Sequence, residues 1–577
     1  MENKKLQVMD LFAGAGGLSN GFEQTGKFEV KVAVEINENA RKTYLENHPH
    51  FNKKFFYKDI TKLRYKDENG NLKEEFQNIK VIIGGPPCQG FSNANRQKNT
   101  LISSNNQLVK EYLKAIEEIQ PVAFVMENVK TLESEKHKFF IRKDDEVEIA
   151  GLNLEEKDEH FKIGTLTVNP DSLKSFLINA YKNKIELAPY KINKDLFSKL
   201  NLLLRHAKKQ SDNSFNEFVN KENNHKYFLR VVKDKWNEIH EEYWDIKYRE
   251  AWNNLGDNFN RILENDTSSI MEFSNLLEQI IEAQRLINKI SEIIHHNIKL
   301  YGDELISDNA EIHIKSYNVF EYIKARLSVL NYVFNAGNHI FNAAQFGVPQ
   351  ERKRLILFGV REDALNGRPL KLPEPIFHDK ESFYKIKDAI YDLENLPPKT
   401  NVKDDEIYRE EARVINGNPL NEYLNNQPNK PLYNHVRTDS REVALKRFES
   451  LKEGQNFHDL DDTLKSTYTD HSRTQNTIYK RLDYNQPSDT VVNVRKSMWI
   501  HPKINRAISI REAARLQSFP DSYRFFGSKD SQYQQVGNAV PPLMARFVGE
   551  SLLDSLGIEV EEKISDIINP KKKMLVK

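Results

Sequence analysis

The sequence predicts an α/β fold of alternating strands and helices, and three observations carry that reading. Residues 6–12 read as a strand running straight into the glycine-rich turn Ala13-Gly14-Ala15-Gly16-Gly17-Leu18 and a helix. Residues 31–35 read as a second strand that ends on a carboxylate, Glu35, roughly 20 residues further on. Residues 81–83 and 122–126 read as further strands, one entering Gly84-Gly85-Pro86-Pro87-Cys88 and the other Glu127-Asn128-Val129.

Short apolar runs bounded by Gly and Pro are what strands buried on both faces look like. Glycines after the first strand let a ligand approach the backbone, and a carboxylate at the next strand end can take ribose hydroxyls. The spacing is not GxGxxG, which weighs against a dinucleotide, and read alone the turn serves equally well as a tight corner. A third strand precedes Asp59 and Ile60. Two glycines followed by two prolines force a rigid, irregular turn. That turn presents Cys88 at a strand tip, where α/β folds place their chemistry.

Cys88 is the single cysteine of 577 residues. It excludes an internal disulfide and any multi-cysteine metal site, leaving reactivity or plain packing, and free cysteines are more often small buried hydrophobes. Glu127 alone reads as a strand-end charge, but it follows the strand next along from Cys88, so both belong to one sheet edge. Hydrophobic content of 38% with 29% charge fits a large soluble intracellular protein of roughly two to four domains. No apolar run approaches a membrane span, the N-terminus lacks a signal-peptide core, and a lone thiol fits a reducing compartment. A net charge of +1 argues neither for nor against nucleic acid.

Together these segments resemble the DNA cytosine-5 methyltransferase family. Asp10-Leu11-Phe12-Ala13-Gly14-x-Gly16-Gly17 is similar to its first motif, Pro86-Pro87-Cys88-Gln89 to its catalytic motif and Glu127-Asn128-Val129 to its acid motif. Gln350-Glu351-Arg352-Lys353-Arg354 matches QxRxR, and the segments 511–520 and 535–542 match the last two motifs. The resemblance covers roughly residues 5 to 132 and 317 to 555, with the motifs in the family's order. It implies a Rossmann-like S-adenosylmethionine-dependent fold with a small target-recognition domain, methylating C5 of a flipped-out cytosine in duplex DNA.

Residue by residue, the resemblance makes Cys88 the nucleophile on cytosine C6 and has Glu127 hydrogen-bond the ring N3 and exocyclic amine. Arg352 and Arg354 would steady the base oxygen and the phosphate or active-site loop. A free thiol titrates near ~8.5, so nearby positive charge or backbone donors must favour the thiolate. Glu127 must hold or share a proton, which burial favours. For the cofactor, the resemblance implies Asp10, Phe12, Ala13, Gly14, Gly16, Gly17, Leu18, Glu35, Ile36, Asp59, Ile60, Pro86, Asn538 and Val540. Gln89, Gly90 and Ser92 open a polar loop, running to about Asn106, that would close over a flipped base. No metal is implied. Duplex DNA is the expected partner, and a cognate restriction endonuclease or other defence protein a further one, in a bacterial cytoplasm at the nucleoid. An RNA cytosine-5 methyltransferase and a catalytically silent DNA-binding scaffold remain alternatives.

This reading divides the chain at 1–132, 317–362 and 496–577 for the catalytic domain, 363–495 for target recognition, and 133–316 for an insertion of unknown role. Within 363–495, Asn434-His435-Val436-Arg437 and Tyr479-Lys480-Arg481-Leu482 offer side chains able to read base edges or phosphates. The insertion reads as mainly helical. Leu276, Ile280, Ala283, Ile287, Ile290 and Ile294 recur at steps of four and three on a helix of about thirty residues, either a bundle core or a pairing face. Trp236, Trp244 and Trp252 precede it. The insertion holds 27 Lys and Arg against 33 Asp and Glu, so the remainder, at 58 against 51, is the basic part that phosphate contact requires.

Overall fold

The computed structural model describes residues 5–87, 104–208, 212–234, 236, 246–264, 270–403, 405–407, 418–466 and 474–569. Cys88, Gln89, Gly90, Ser92 and Trp244 lie outside the described residues. The chain divides into two compact units: the described parts of Met1–Cys88, Gln107–Leu132 and Arg326–Lys577, and a second that includes Glu133–Ala325.

The first unit is built on an eight-stranded sheet among the described residues. Its parallel centre comprises β1 (Leu6–Leu11), β2 (Phe28–Val34), β3 (Phe56–Tyr57), β4 (Ile79–Gly84) and β5 (Ala123–Val129), ordered β5-β4-β1-β2-β3. Val8, Met9, Val81, Ile82, Ile83, Phe124 and Val125 are fully buried, as strands covered on both faces demand. In the second unit lie β6 (Lys138–Phe140), β7 (Lys157–Lys162) and β8 (Glu311–Asn318). The first sheet continues with β9 (Tyr332–Phe334), β10 (Ile340–Asn342) and β11 (Lys353–Arg361), and β11 runs antiparallel to β5 with Glu127 opposite Ile356 and Val129 opposite Arg354.

The helix Gly17–Glu23 packs against Pro542–Leu556 at a distance only glycine allows. A β-carbon on Gly21 would come within 2.4 Å of the Pro542 carbonyl, and one on Gly17 within 2.3 Å of the Val540 carbonyl. The last long helix therefore closes back onto the first turn. The helix Ile510–Leu516 is held by buried arginines: Arg515 pairs with Asp521 and Asp392, Arg511 donates to the carbonyls of Tyr433, Pro520 and Tyr523, and Arg506 grips Glu512.

The second unit is helical around its own core, as the periodicity anticipates, but it also carries the three-stranded sheet β6-β8-β7, which the sequence reading missed. The charged stretch Lys157–Lys162 forms β7, whose side chains largely face solvent. Helix Ile270–His295 lies at the centre, with Ile280, Ala283, Ile287 and Ile290 fully buried against helices Pro170–Asn183, Lys194–Ala207 and Ile246–Leu263. Its apolar face thus serves a bundle core and is not a free pairing face. Gln284 in the same core is fully paired, donating to Tyr248 Oη (2.6 Å) and the Tyr190 carbonyl (2.9 Å) and accepting from Ile192 N–H (2.8 Å). Trp236 and Trp252 stack at 4.1 Å, and each indole N–H donates to the other's backbone carbonyl.

Candidate active site

Register alone gathers most of the expected residues. Leu11 pairs with Val34 and with Gly84, and Val34 with Tyr57. Phe12, Glu35, Asp59 and Pro86 therefore follow the carboxyl ends of four adjacent parallel strands, where ligands bind in open α/β sheets.

The turn after β1 is wound tightly. Phe12 (φ 59°), Gly14 (φ 56°) and Gly16 (φ 88°) all adopt left-handed backbone. For Phe12 this conformation costs about 1–2 kcal/mol. The Ala13 N–H donates to the Val34 carbonyl at 3.0 Å, and the Gly14 N–H donates to Glu35 Oε2 at 2.9 Å. Glu35 Oε1 accepts from the Asn37 N–H at 2.7 Å, so this carboxylate shapes the turn and sits at its rim. A β-carbon on Gly14 would meet only the Phe12 carbonyl, at 4.0 Å, leaving open space over the turn. Ile36, 76% exposed, projects an apolar side chain beside it. Asp59 is half-buried, with Oδ1 engaged by Thr61.

Other expected cofactor residues are placed differently. The side chains of Leu18, Ile60 and Val540 are buried in the core, so only their backbones can meet a ligand. Ala13 and Pro86 are buried, while Asn538 is exposed at the end of helix Lys529–Asn538 with its Oδ1 accepting from Gln534 (2.7 Å). Asp10 is also buried and receives the Tyr44 hydroxyl at 3.2 Å. Burial without a cation raises its pKa to about 7, against the pull of the Ser19 and Tyr44 hydroxyls, with Glu35 and Glu23 adding to the rise.

Glu127, at the far end of β5, is mostly buried, and Oε2 lies 3.0 Å from where a Gly85 β-carbon would stand. Arg354 Nε lies 3.2 Å from Glu127 Oε1. Burial raises the Glu127 pKa, while Arg354 and then Arg352 oppose the rise. Asn128 donates to the Pro86 carbonyl at 2.9 Å, tying the turn that leads to Cys88 onto β5. The string Glu127-Asn128-Val129 stood in the sequence, but the tether was not read from it.

The two arginines of QxRxR have different surroundings. Arg354 faces the acid; Arg352 is buried and donates to the carbonyls of Val491 (3.0 Å) and Gly537 (3.2 Å). Burial lowers the Arg352 pKa to about 9. Gln350, likewise buried, accepts from the Val491 N–H (2.7 Å) and donates to Gln517 Oε1 (2.8 Å).

Most of the residues offered as base readers are structural. Asn434 is buried, donating to the Phe525 carbonyl and accepting from the Phe525 N–H. His435 sits between Ser509 and the Leu396 carbonyl, and Arg481 donates to the carbonyls of His501 and Phe448. Tyr479 is also buried; of the two segments, Arg437 and Lys480 keep partial exposure. Polar side chains in loops look alike in sequence whether they face solvent or satisfy backbone groups in a small core.

The family model for C-5 cytosine-specific DNA methylases matches residues 6–294 and 303–554. The chain is 23% identical over 564 residues to the Type II methyltransferase M.DdeI of Desulfomicrobium norvegicum, covering 95% of this chain and 88% of that protein. It is 25% identical over 559 residues to M.AgeI of Thalassovita gelatinovora, covering 95% and 99%. Among solved structures, one assigned as a DNA modification methyltransferase encoded within a prophage (E. coli) aligns with a TM-score of 0.50 at 19% identity, covering 96% of this chain and all of that one. That structure shares the fold. With the strand-end site and a family match spanning both parts of the chain, this protein belongs to the C-5 cytosine-specific DNA methylases and is a DNA cytosine-5 methyltransferase.

Proposed function

We propose that the chain modifies duplex DNA at a specific sequence, as the methyltransferase of a Type II restriction-modification system, through a covalent bond between Cys88 and cytosine C6. The observation that carries this reading is the Glu127 carboxyl, held by Arg354 beside the Gly85-Pro86 turn that leads to Cys88.

Cytosine C5 is unreactive until a nucleophile adds at C6. The Cys88 thiolate forms the S–C6 bond, and the 5,6 double-bond electrons become available at C5. Glu127, whose carboxyl burial pushes toward the protonated form against the pull of Arg354 and Arg352, gives a hydrogen bond to ring N3 and relieves the charge that builds there. Arg354 holds the Glu127 carboxyl in place and presents its guanidinium to the base oxygen. When bound, S-adenosylmethionine supplies an electrophilic methyl group on its sulfonium. The C5 proton then leaves to a base, the S–C6 bond breaks, and the ring double bond returns. Because a duplex hides its bases, the target cytosine must be flipped out.

The residues at the strand ends fit that cofactor. The open face of Gly14 admits a chain against the backbone, Glu35 offers carboxylate lone pairs for ribose hydroxyls, and Phe12 and exposed Ile36 offer apolar cover for a purine. Among the described residues no helix is long and apolar enough to cross a membrane. The test is methylation of plasmid DNA and of transfer RNA with labelled cofactor, followed by sequencing of 5-methylcytosine. Methyl groups confined to cytosines in one DNA motif support the reading; methylation of RNA alone, or of neither, overturns it.

A further inference from the structure

The segment that returns from the target-recognition region is fastened along the helix Lys529–Asn538 by contacts that the chemistry at cytosine does not use. Arg352, only 2% exposed, reaches the Val491 carbonyl with one guanidinium nitrogen and the Gly537 carbonyl with the other. Gln350 takes the Val491 N–H and passes the connection to Gln517, whose amide donates to the Val536 carbonyl at 2.8 Å. Gly537 is bare where Val492 crosses it, and a β-carbon there would stand 2.5 Å from the Val492 carbonyl. Further along, Asn493 donates to Asp530 (3.2 Å) and Gln534 (3.1 Å), and Arg495 pairs with Asp530 at 3.1 Å.

The residues just past the end of the same helix lie on the glycine turn. A Gly17 β-carbon would meet the Val540 carbonyl at 2.3 Å and Ala539 Cβ at 3.3 Å. One packed path thus runs from residues 491–495, through Arg352 and Gly537, to the turn after β1. A planar guanidinium suits this place because its fork can hold two carbonyls from two segments at once, which a lysine ammonium on a flexible stem cannot do with the same geometry. Burying a guanidinium whose hydrogen bonds go to neutral carbonyls is costly.

We propose that Arg352 is a positioning residue that locks the 491–495 segment to the helix Lys529–Asn538, so that grip on the DNA and closure of the cofactor site reinforce one another. This rests on the reading of the glycine turn as the cofactor site and of 363–495 as the DNA-reading region. Coupling between two ligands is reciprocal, so each must tighten the other by one factor, commonly about 5- to 150-fold.

The test uses the full chain, S-adenosylhomocysteine as a non-transferring cofactor, and a duplex carrying the site read from the methylation sequencing. Affinity for S-adenosylhomocysteine is measured by calorimetry with and without that duplex. In the wild type the duplex should tighten binding by about fivefold or more. In Arg352→Lys, which keeps the charge, the ratio should fall to about one. Asn493→Ala, at the more open end of the contact, should lower the ratio in the same direction, and decides the matter if Arg352→Lys does not fold. A wild-type ratio of one, or an unchanged ratio in the folded variants, overturns the proposal. Absence of binding of either ligand to the wild type would instead overturn the functional reading on which it rests.

Discussion

Asn128 donates its side-chain amide to the Pro86 carbonyl at 2.9 Å, joining the strand that carries Glu127 to the turn that leads to Cys88. Two adjacent parallel strands would hold their own backbones in register without this bond, but not the irregular turn beyond β4. Asn128→Ala should lower the single-turnover methylation rate by about 10- to 100-fold, the usual cost of losing a supporting hydrogen bond at a reactive site. Asn128→Asp should lose as much despite its equal size, because a carboxylate cannot donate to a carbonyl. Rates in Asn128→Asp equal to wild type would show that the tether is idle.

Glu127 is pushed up by burial and pulled down by Arg354, then Arg352. Its protonated form therefore persists to higher pH than that of a free glutamate and is lost as pH rises through the shifted value. Arg354→Met removes the larger of the two opposing charges, so Glu127 should keep its proton to still higher pH. The pH–rate profile of single-turnover methylation should show its alkaline limb displaced upward, alongside a rate lowered by about 100-fold from the lost contact. An alkaline limb displaced downward would reverse the assigned sign.

Asp10 shows the same physics as a matter of stability. Its carboxyl is raised from 3.8 to about 7 by burial. Below the unfolded value both states hold the proton; between the two values only the folded chain does; above about 7 the folded chain must ionise a buried group. Its contribution is thus fully present at low pH and fades as pH rises through about 7. Without cofactor, the thermal midpoint of Asp10→Asn should gain on wild type between pH 5 and pH 8, by several degrees at the upper end. Parallel midpoint curves for the two proteins would contradict this.

The second unit has its own core, and its stability should be separately addressable. Trp252→Ala removes a fully buried ring, its stack on Trp236 and the indole N–H that donates to the Trp236 carbonyl. A loss of about 3–5 kcal/mol is expected there. Hydrogen exchange should quicken in helices Ile246–Leu263 and Ile270–His295 while β1, β4 and β5 keep their protection. Equal acceleration in both units would mean that they unfold as one.

What was legible in the sequence was what depends on neighbours along the chain. The glycine turn, the carboxylate after β2 and the acid near the end of β5 each follow from a short string, and strand register then brings them together. Arg352 and Arg354 looked interchangeable because their partners stand far off in sequence: Val491 and Gly537 for one, Glu127 for the other. Asn434, His435 and Arg481 read as candidate base or phosphate readers because nothing local tells a side chain that satisfies a buried carbonyl from one that meets DNA. The small sheet of the second unit escaped notice because β7, Lys-Asp-Glu-His-Phe-Lys, has little of the β-branched and apolar content that marks a strand.

The central claim is that Cys88 bonds to cytosine C6 while Glu127 steadies the ring, and 5-fluorocytosine tests it most directly. Fluorine at C5 cannot leave as a proton does, so a chain that has added to C6 and transferred its methyl group stays bound. Duplex DNA substituted with 5-fluorocytosine should give a covalent adduct on a denaturing gel with wild-type protein and S-adenosylmethionine. Cys88→Ala should give none, and Glu127→Gln should form it about 100-fold more slowly. An adduct that survives Cys88→Ala, or no adduct from a wild-type preparation that methylates ordinary DNA, would contradict the account.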